Sequence, residues 1–293
     1  MTTGAGVAAG DRESEAHPER PVSGFLVLGG IVLALLVVVA VLAPVLAPYD
    51  PRALSGGALE RPSAHHLLGT NDVGHDIFSE LVFGARAALW MAAGAASLAV
   101  SLGVLVGLGA GLVGGVVDFV VMRVLDVVLA LPVLPLLVLL AALAGPGQAK
   151  LLLFVGMITG PGIARIVRSQ ALSLRQRGFI GAARGFGGGP LYVIRRHLGP
   201  ALAPVIAVHF VDVASIALSL EAGLAFLGLG DPTAVTWGEV MQRALRHPGL
   251  YFTDLWVWWL LPAGLAVTVA VLGFAFVGVG LEPRFNPRVR RLL

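Results

Sequence analysis

The side chains able to carry chemistry are sparse in this chain. Of 293 residues, 17 are Asp or Glu, seven are histidine and none is cysteine. The lack of cysteine removes disulfide frameworks, thiolate metal sites and cysteine nucleophiles together. The histidines are His17, His65, His66, His75, His197, His209 and His247, and none forms an H-E-x-x-H zinc helix. No serine occupies a G-x-S-x-G elbow, and no convergent catalytic set for a membrane enzyme emerges. His65 and His66 come nearest to a metal pair. They lie in a polar loop without a third ligand beside them, so the sequence predicts two solvated loop histidines. The only lysine, Lys150, precedes Leu151, so no phosphate loop ends in Gly-Lys-Ser/Thr. Gly185-Phe186-Gly187-Gly188-Gly189 follows no strand and does not complete G-x-G-x-x-G. If ATP drives this chain, another chain binds it.

The elements that must position these few groups are apolar. Hydrophobic residues make up 57% of the chain and charged residues 13%, with a mean hydropathy of +0.89. Soluble domains are roughly a quarter charged, so the bilayer is the expected solvent and the fold class is all-α. A polar tail over 1–22 precedes a first span over 23–48, about long enough for a ~30 Å hydrocarbon core and too long for a signal-peptide core. A polar segment, 49–84, leads to a five-helix region, 85–284, and the chain closes with a basic tail, 285–293. Spans are expected near 85–113, 119–143, 151–165, 200–224 and 255–281, with Pro132 and Pro135 interrupting the third and a polar loop of about 25 residues before the last. Between Ile163 and Leu198 stand seven arginines and no acid, and four more arginines follow Glu282. The positive-inside rule therefore puts both termini and the 165–198 segment in the cytoplasm. Apolar spans flank these arginines on both sides, so nucleic acid is not the expected partner.

Three patterns stand out. Ala95, Ala99, Gly103, Gly107, Gly111 and Gly115 step by four along one helix face, a ladder that admits another helix closely, within this chain or at a subunit interface. Arg123 and Asp126 are three apart and form a candidate structural pair. The segment 177–198 predicts a short helix that ends at the glycines, where positive φ costs least, and a second helix opened by Pro190. Its Phe179, Phe186 and Tyr192 among arginines suit docking into a protein groove or lying on anionic lipid.

The same segment resembles the "EAA" signature of ABC importer permeases, with Ala182, Ala183, Gly187 and Pro200 in register, Gly181 in place of the glutamate, and His197 and Gly199 replacing Ile and Leu. His66 to Asp76 resembles the "HPLGTDxxGRD" segment of dipeptide/oligopeptide permeases, with His75 for Arg. Gly84-Ala85-Arg86, Met122-Arg123 with Asp126 and Pro132, Arg168-Ser169-Gln170, Leu172-Ser173-Leu174-Arg175, Glu221 to Gly230, Trp237-Gly238 and Asn286-Pro287-Arg288 agree with further motifs of that family. The resemblance covers about residues 24–291 and is to the C-type permease of the dipeptide/oligopeptide (nickel) transport family.

The resemblance implies a six-helix type I importer permease in a bacterial inner membrane. It implies a sister permease as heterodimer partner, two cytoplasmic ATPase subunits that hold the ATP and Mg, and an extracytoplasmic substrate-binding protein. No cofactor, metal site or catalytic residue is expected on this chain. It further implies an ATPase-coupling loop containing Phe179, Gly181, Ala182, Ala183, Arg184, Phe186, Gly187, Arg195, Arg196 and Pro200. Gly188 falls outside the matched motif, so substitution there is expected to be milder than at Gly187. Peptides are the implied cargo, with nickel or metal chelates, glutathione or opines as alternatives. Independently of the family, the intramembrane ionisable groups His209, Asp212 and Glu221 are candidate pathway residues. A secondary transporter would need internal repeats and its own ion site, and no convincing repeat is found.

Overall fold

The computed structural model describes residues 24–285. The expected tail 1–22, the tail 285–293 beyond Phe285, and the Asn286-Pro287-Arg288 motif lie outside the described residues. Within them the chain forms ten α-helices and one isolated bridge, Thr70 to Asp76, with no sheet. Five helical stretches are long and apolar enough to cross a membrane: α1 (Gly24–Leu46), α2 (Ile77–Val113), α5 (Gln148–Arg175), the stretch Pro190–Phe226 and the stretch Trp256–Glu282. A bent pair, α3 (Gly115–Ala130) and α4 (Val133–Ala144), makes a sixth when counted as one span. Large apolar side chains such as Leu35, Val45, Leu105, Val116 and Leu143 stand on the outer surface, as lipid-facing residues should.

Local chemistry explains where the elements differ from expectation. Helix α2 starts eight residues before the expected 85, because Asp76 caps it: its carboxylate accepts from the Ser79 backbone N–H at 2.8 Å and the Ser79 hydroxyl at 2.7 Å. The expected continuous span over 119–143 is instead two helices bent by 87°. Pro132 forces Leu131 into extended backbone and so ends α3, whereas Pro135 sits in the first turn of α4, where its missing N–H has no partner to lose. Helix α5 runs ten residues past Arg165, since Ala164, Val167 and Ala171 keep its apolar stripe buried while its other faces turn polar. The polar loop before the last span contains α9 (Trp237–Arg246), capped by Thr236, whose hydroxyl accepts from the Glu239 N–H. The spacing of Thr236 and Glu239 is a capping-box signal, and Arg243 and Arg246 favour the helix C-terminus.

The small-residue ladder packs inside this chain. Helices α2 and α5 run parallel: Gly94 meets Leu152, Gly103 meets Ile163, Gly107 meets Ala164 and Gly111 meets Ala171. The exception is Gly115, which lies past the end of α2 and opens α3. Two parallel neighbours need a crossing between them, which the bent α3–α4 pair supplies. It delivers the chain to Gln148, whose side chain donates to the Ala87 carbonyl near the start of α2 at 3.1 Å. Helices α1 and α10 (Leu261–Phe285) pack antiparallel, with Gly29 against Val277 and Gly280 against Leu26. Helix α8 (Gly199–Phe226) joins α1, α2, α5 and α10 in the principal core, through Leu202, Val213, Ala214 and Leu218.

A methyl group on Gly107 would lie 2.5 Å from the Ala164 carbonyl oxygen, whereas one on Gly109 meets nothing within 4 Å. Gly107→Ala should therefore lose about 1–3 kcal/mol to overpacking. Gly109→Ala should be neutral or gain up to about 1 kcal/mol. Thermal unfolding of the purified variants measures both, and equal midpoints would contradict the packing described.

Candidate functional site

At the arginine-rich end, α5 stops at Arg175 and the chain turns into α6 (Gly178–Gly185). The turn at Gly187 has φ +86°, and the Gly188 N–H closes it by donating to the Ala183 carbonyl at 2.9 Å. Pro190 then opens α7 (Pro190–Val193), which continues through a π-turn over Ile194–Leu198 into α8. The expected helix-turn-helix is thus present, and its second helix is continuous with a span. Ile180, Val193 and Leu198 are buried in the main core and anchor the unit. The imidazole of His197 meets Phe179 at a tilt of 47° and Tyr192 edge-on at 75°, with ring centroids 5.6 and 5.8 Å apart. The opposite face is free: Phe179 and Tyr192 are about half exposed at 48% and 53%, and Phe186 is 93% exposed. Gly181, Ala182, Arg195, Arg196 and Pro200 are exposed on the same unit, and Ala183 is partly buried. The side chain of Arg184 lies outside the described part of the structure. Space around Gly181 is open, so a glutamate would fit there without displacing anything. An exposed aromatic and arginine face on a short, well-anchored helix is a docking surface in its physical character.

Ionic clips tie the bent crossing to α5 at this end. Asp126 lies 3.7 Å from Arg123 and also 3.7 Å from Arg165, all well exposed, which makes the Arg123–Asp126 pair real but weak. A stronger clip went unnoticed in the sequence: Arg168 grips Asp118 with both guanidinium branches. Its signal was a lone acid, Asp118, in an apolar run, with an arginine in the next long helix. Arg175 donates to the last carbonyls of α2, Gly111 and Leu112, at 3.4 and 3.3 Å.

The three candidate pathway residues do not converge. His209 and Asp212 face each other at 3.6 Å. Glu221 lies twelve residues beyond His209 along α8, roughly 18 Å away by helical rise, and is buried beside the Thr236 hydroxyl that caps α9. Its contacts are those of a tether between α8 and α9.

At the other end, residues 47–76 form a folded cap, not a loose loop. Leu59 donates to the Asn71 carbonyl and Thr70 to the Glu60 carbonyl, both at 3.0 Å. His66, expected in solvent, is buried, and its ring Nδ1 donates to Asp76 at 2.9 Å, so it braces the cap of α2; His65 is exposed as expected. The Asn71 side chain accepts from the backbone of Val73 and His75 and donates to Glu80 at 3.0 Å. Asp231, whose carboxyl the Thr233 hydroxyl holds below its ordinary range, accepts from the Gln148 N–H and ties this end to α5. Between Arg52, His75, Glu80, Thr233, Glu239 and Arg243 lies a cleft of about 350 Å³. Glu80 and Arg243 belong to no motif that the sequence offered. Two turns of helix and a distant amphipathic one had to meet before their chemistry became visible.

The turn of the helix-turn-helix reverses one expectation. Gly188, not only Gly187, is intolerant: a methyl there would lie 2.6 Å from the Ala183 carbonyl and 3.0 Å from the Tyr192 ring. A β-branched residue at the φ of Gly187 costs about 1–3 kcal/mol. Gly187→Val and Gly188→Ala should both speed proteolytic cleavage of the 186–190 turn in the purified chain. Gly189→Ala, facing open space with φ −69°, should not. Wild-type cleavage rates for Gly188→Ala would contradict this geometry.

Comparison with known proteins agrees with these features over nearly the whole chain. Residues 103–291 match the family model described as binding-protein-dependent transport system inner membrane component. Residues 25–64 match the N-terminal transmembrane domain of oligopeptide transport permease C. The chain is 35% identical to a protein of Brucella suis named "Putative peptide permease protein", over 88% of this chain and 86% of the relative. It is 32% identical to the "Probable D,D-dipeptide transport system permease protein" of Escherichia coli K12, over 91% of this chain and 88% of the relative. The chain belongs to the inner membrane component family of binding-protein-dependent transport systems, in its C-type permease branch.

Proposed function

We propose that this chain is one of two paired membrane subunits of an ATP-driven importer of dipeptides and oligopeptides. The observation that carries this is similarity to named peptide permeases along about nine-tenths of the chain. The exposed aromatic and arginine unit at 178–198 supports the rest: it is where cytoplasmic ATPase subunits dock. Phe186 and Phe179 enter a groove of the ATPase, and Arg195 and Arg196 meet its acidic rim. The unit is continuous with α8 through the π-turn and abuts α5, so a push on it moves two spans. A sister permease completes the pathway, and an extracytoplasmic binding protein supplies cargo at the folded cap. The chain itself breaks no bond. Both termini and the helix-turn-helix face the cytoplasm in this reading, which the distribution of arginines supports.

Two measurements test this. In proteoliposomes holding this chain, its sister permease and the ATPases, a radiolabelled dipeptide should accumulate only with ATP and the binding protein together. The purified single chain should hydrolyse no ATP, and activity there with contaminants excluded would overturn the division of labour. The absence of native cysteine makes topology labelling clean. Exposed Ser63→Cys and Thr233→Cys should react with impermeant maleimide in intact cells, and Ser173→Cys should not. The reverse pattern would invert the orientation.

A further inference from the structure

The seam between α8 and α10 carries polar groups at a depth where lipid tails would be expected. The two helices run antiparallel: Asp212 lies beside Gly278, Ser215 donates to the Val271 carbonyl at 3.5 Å, and Gly223 shares a hollow with Gly264. Asp212, Ile216, Ser219, Gly223 and Phe226 follow one another at alternating steps of four and three, so they form one stripe along α8. All but Gly223 are exposed, and a Cβ on Gly223 or Gly264 would meet nothing within 4 Å. Asp212 stands at the middle of α8, roughly 20 Å of helical rise from either end, and its side chain is 48% exposed. A short acidic side chain cannot reach a headgroup from the middle of a ~30 Å hydrocarbon core. Ionisable side chains inside spans face the bundle interior or a water-filled cavity, not lipid. The stripe on α8 therefore faces away from the bilayer, unlike Leu35 of α1 or Leu143 of α4.

What covers this face is either a packed helix or water, and the polar atoms favour water. A packed helix would strip the Asp212 carboxylate of solvent, and its ionic partner, His209 Nδ1, stands 3.6 Å away, beyond hydrogen-bond range. Ser219 and Thr268 donate their hydroxyl protons to the Ser215 and Gly264 carbonyls of their own helices, at 2.9 and 2.8 Å, which leaves the two exposed oxygens as acceptors. A carboxylate and hydroxyl acceptors along one seam suit the ammonium and N–H groups of a peptide. At its outer end the seam widens into a hollow of about 540 Å³ between Phe226, Met241, Trp256 and Leu265, within the ~300–1,000 Å³ range of small-molecule sites.

We infer that the α8–α10 seam is the wall this chain gives to a water-filled translocation pathway, and that Asp212 draws the cationic end of a short peptide along it. The assignment rests on the peptide-import reading and puts its pathway on one named face. Glu221, buried beside the cap of α9, takes no part in that wall.

The test again exploits the absence of native cysteine. The complete permease–ATPase complex in nanodiscs, turning over ATP with the binding protein and dialanine, is treated with a cationic or an anionic methanethiosulfonate, and the mass of this chain reports modification. Thiols react with these reagents only where water reaches them. Ile216→Cys, one turn from Asp212, should be modified, and Leu35→Cys on α1 should not. At Ile216→Cys the cationic reagent should react about fivefold faster than the anionic one. Asp212→Asn should bring the two rates to near equality, and Asp212→Glu should restore the difference. Equal rates at Ile216→Cys, or a ratio that Asp212→Asn leaves unchanged, overturn the proposal. Should Asp212→Asn fail to assemble, the gradient decides: the ratio must fall from Ile216→Cys to Phe226→Cys, roughly 15 Å farther along the stripe, and a flat or rising ratio overturns it. Reactivity at Ile216→Cys that appears only when the sister permease is left out assigns the seam to helix packing, which also overturns it. An unreactive Ile216→Cys in a complex that imports dialanine sinks the pathway assignment alone, whereas a wild-type complex that imports no dialanine sinks the import reading and the pathway with it.

Discussion

Everything else in this molecule is arranged around the close approach of two parallel helices, α2 and α5. In a bilayer the lipid tails are as apolar as the side chains, so helix association cannot draw on the hydrophobic effect and relies on packing at short range. The ladder from Ala95 to Gly111 allows that range, bringing the backbone of α2 against Gly160, Ala164 and Arg168. The parallel direction then dictates the bent crossing between them. The α3–α4 pair returns the chain from one end of α2 to the other, and Pro132 supplies its bend. Helix α3 has no buried residue of its own, and Asp118 on Arg168 and Asp126 on Arg165 attach it to α5.

Helix α5 is also what joins the two polar ends. Its first residue, Gln148, bonds Ala87 and Asp231 under the folded cap. Its last, Arg175, bonds the final carbonyls of α2 beside the helix-turn-helix. A continuous helix pinned at both ends transmits displacement with little loss, because packed interiors are stiff. Pro161 interrupts its hydrogen-bond ladder midway, next to Gly103 and Ile163, and gives that rod one place to flex. The helix-turn-helix lies at one end of this rod and the folded cap near the other, so the two polar ends share one mechanical element.

The two ends are built by different chemistry. The arginine-rich end is a single anchored unit whose aromatic face stays open to a partner. The opposite end is a network of caps: Asp76 on α2, His66 on Asp76, Thr236 on α9 and Glu221 beside Thr236. Such local bonds satisfy the orphan N–H groups of helix starts that lie where the chain leaves the apolar core.

The sequence by itself determined the class, the count of apolar segments and the distinction between the two ends. Composition and charge asymmetry report on solvent, and solvent acts on each segment separately. It also determined the turn at Gly187, the helix opened by Pro190 and the family, since those are local or motif-borne properties. The bend at Pro132 was readable as an interruption, but its 87° was not, because the angle depends on what α3 and α4 pack against. The tertiary structure alone decided that the ladder faces α5, that His66 is a buried brace, that Gly188 is as crowded as Gly187 is strained, and that Glu221 is buried against the Thr236 cap of α9. It alone brought Glu80 of α2 to Arg243 of α9, 163 positions away, across the cleft. Contacts between distant segments have no signature in either segment, because each side chain obeys only its own local pattern until the backbone brings its partner within reach.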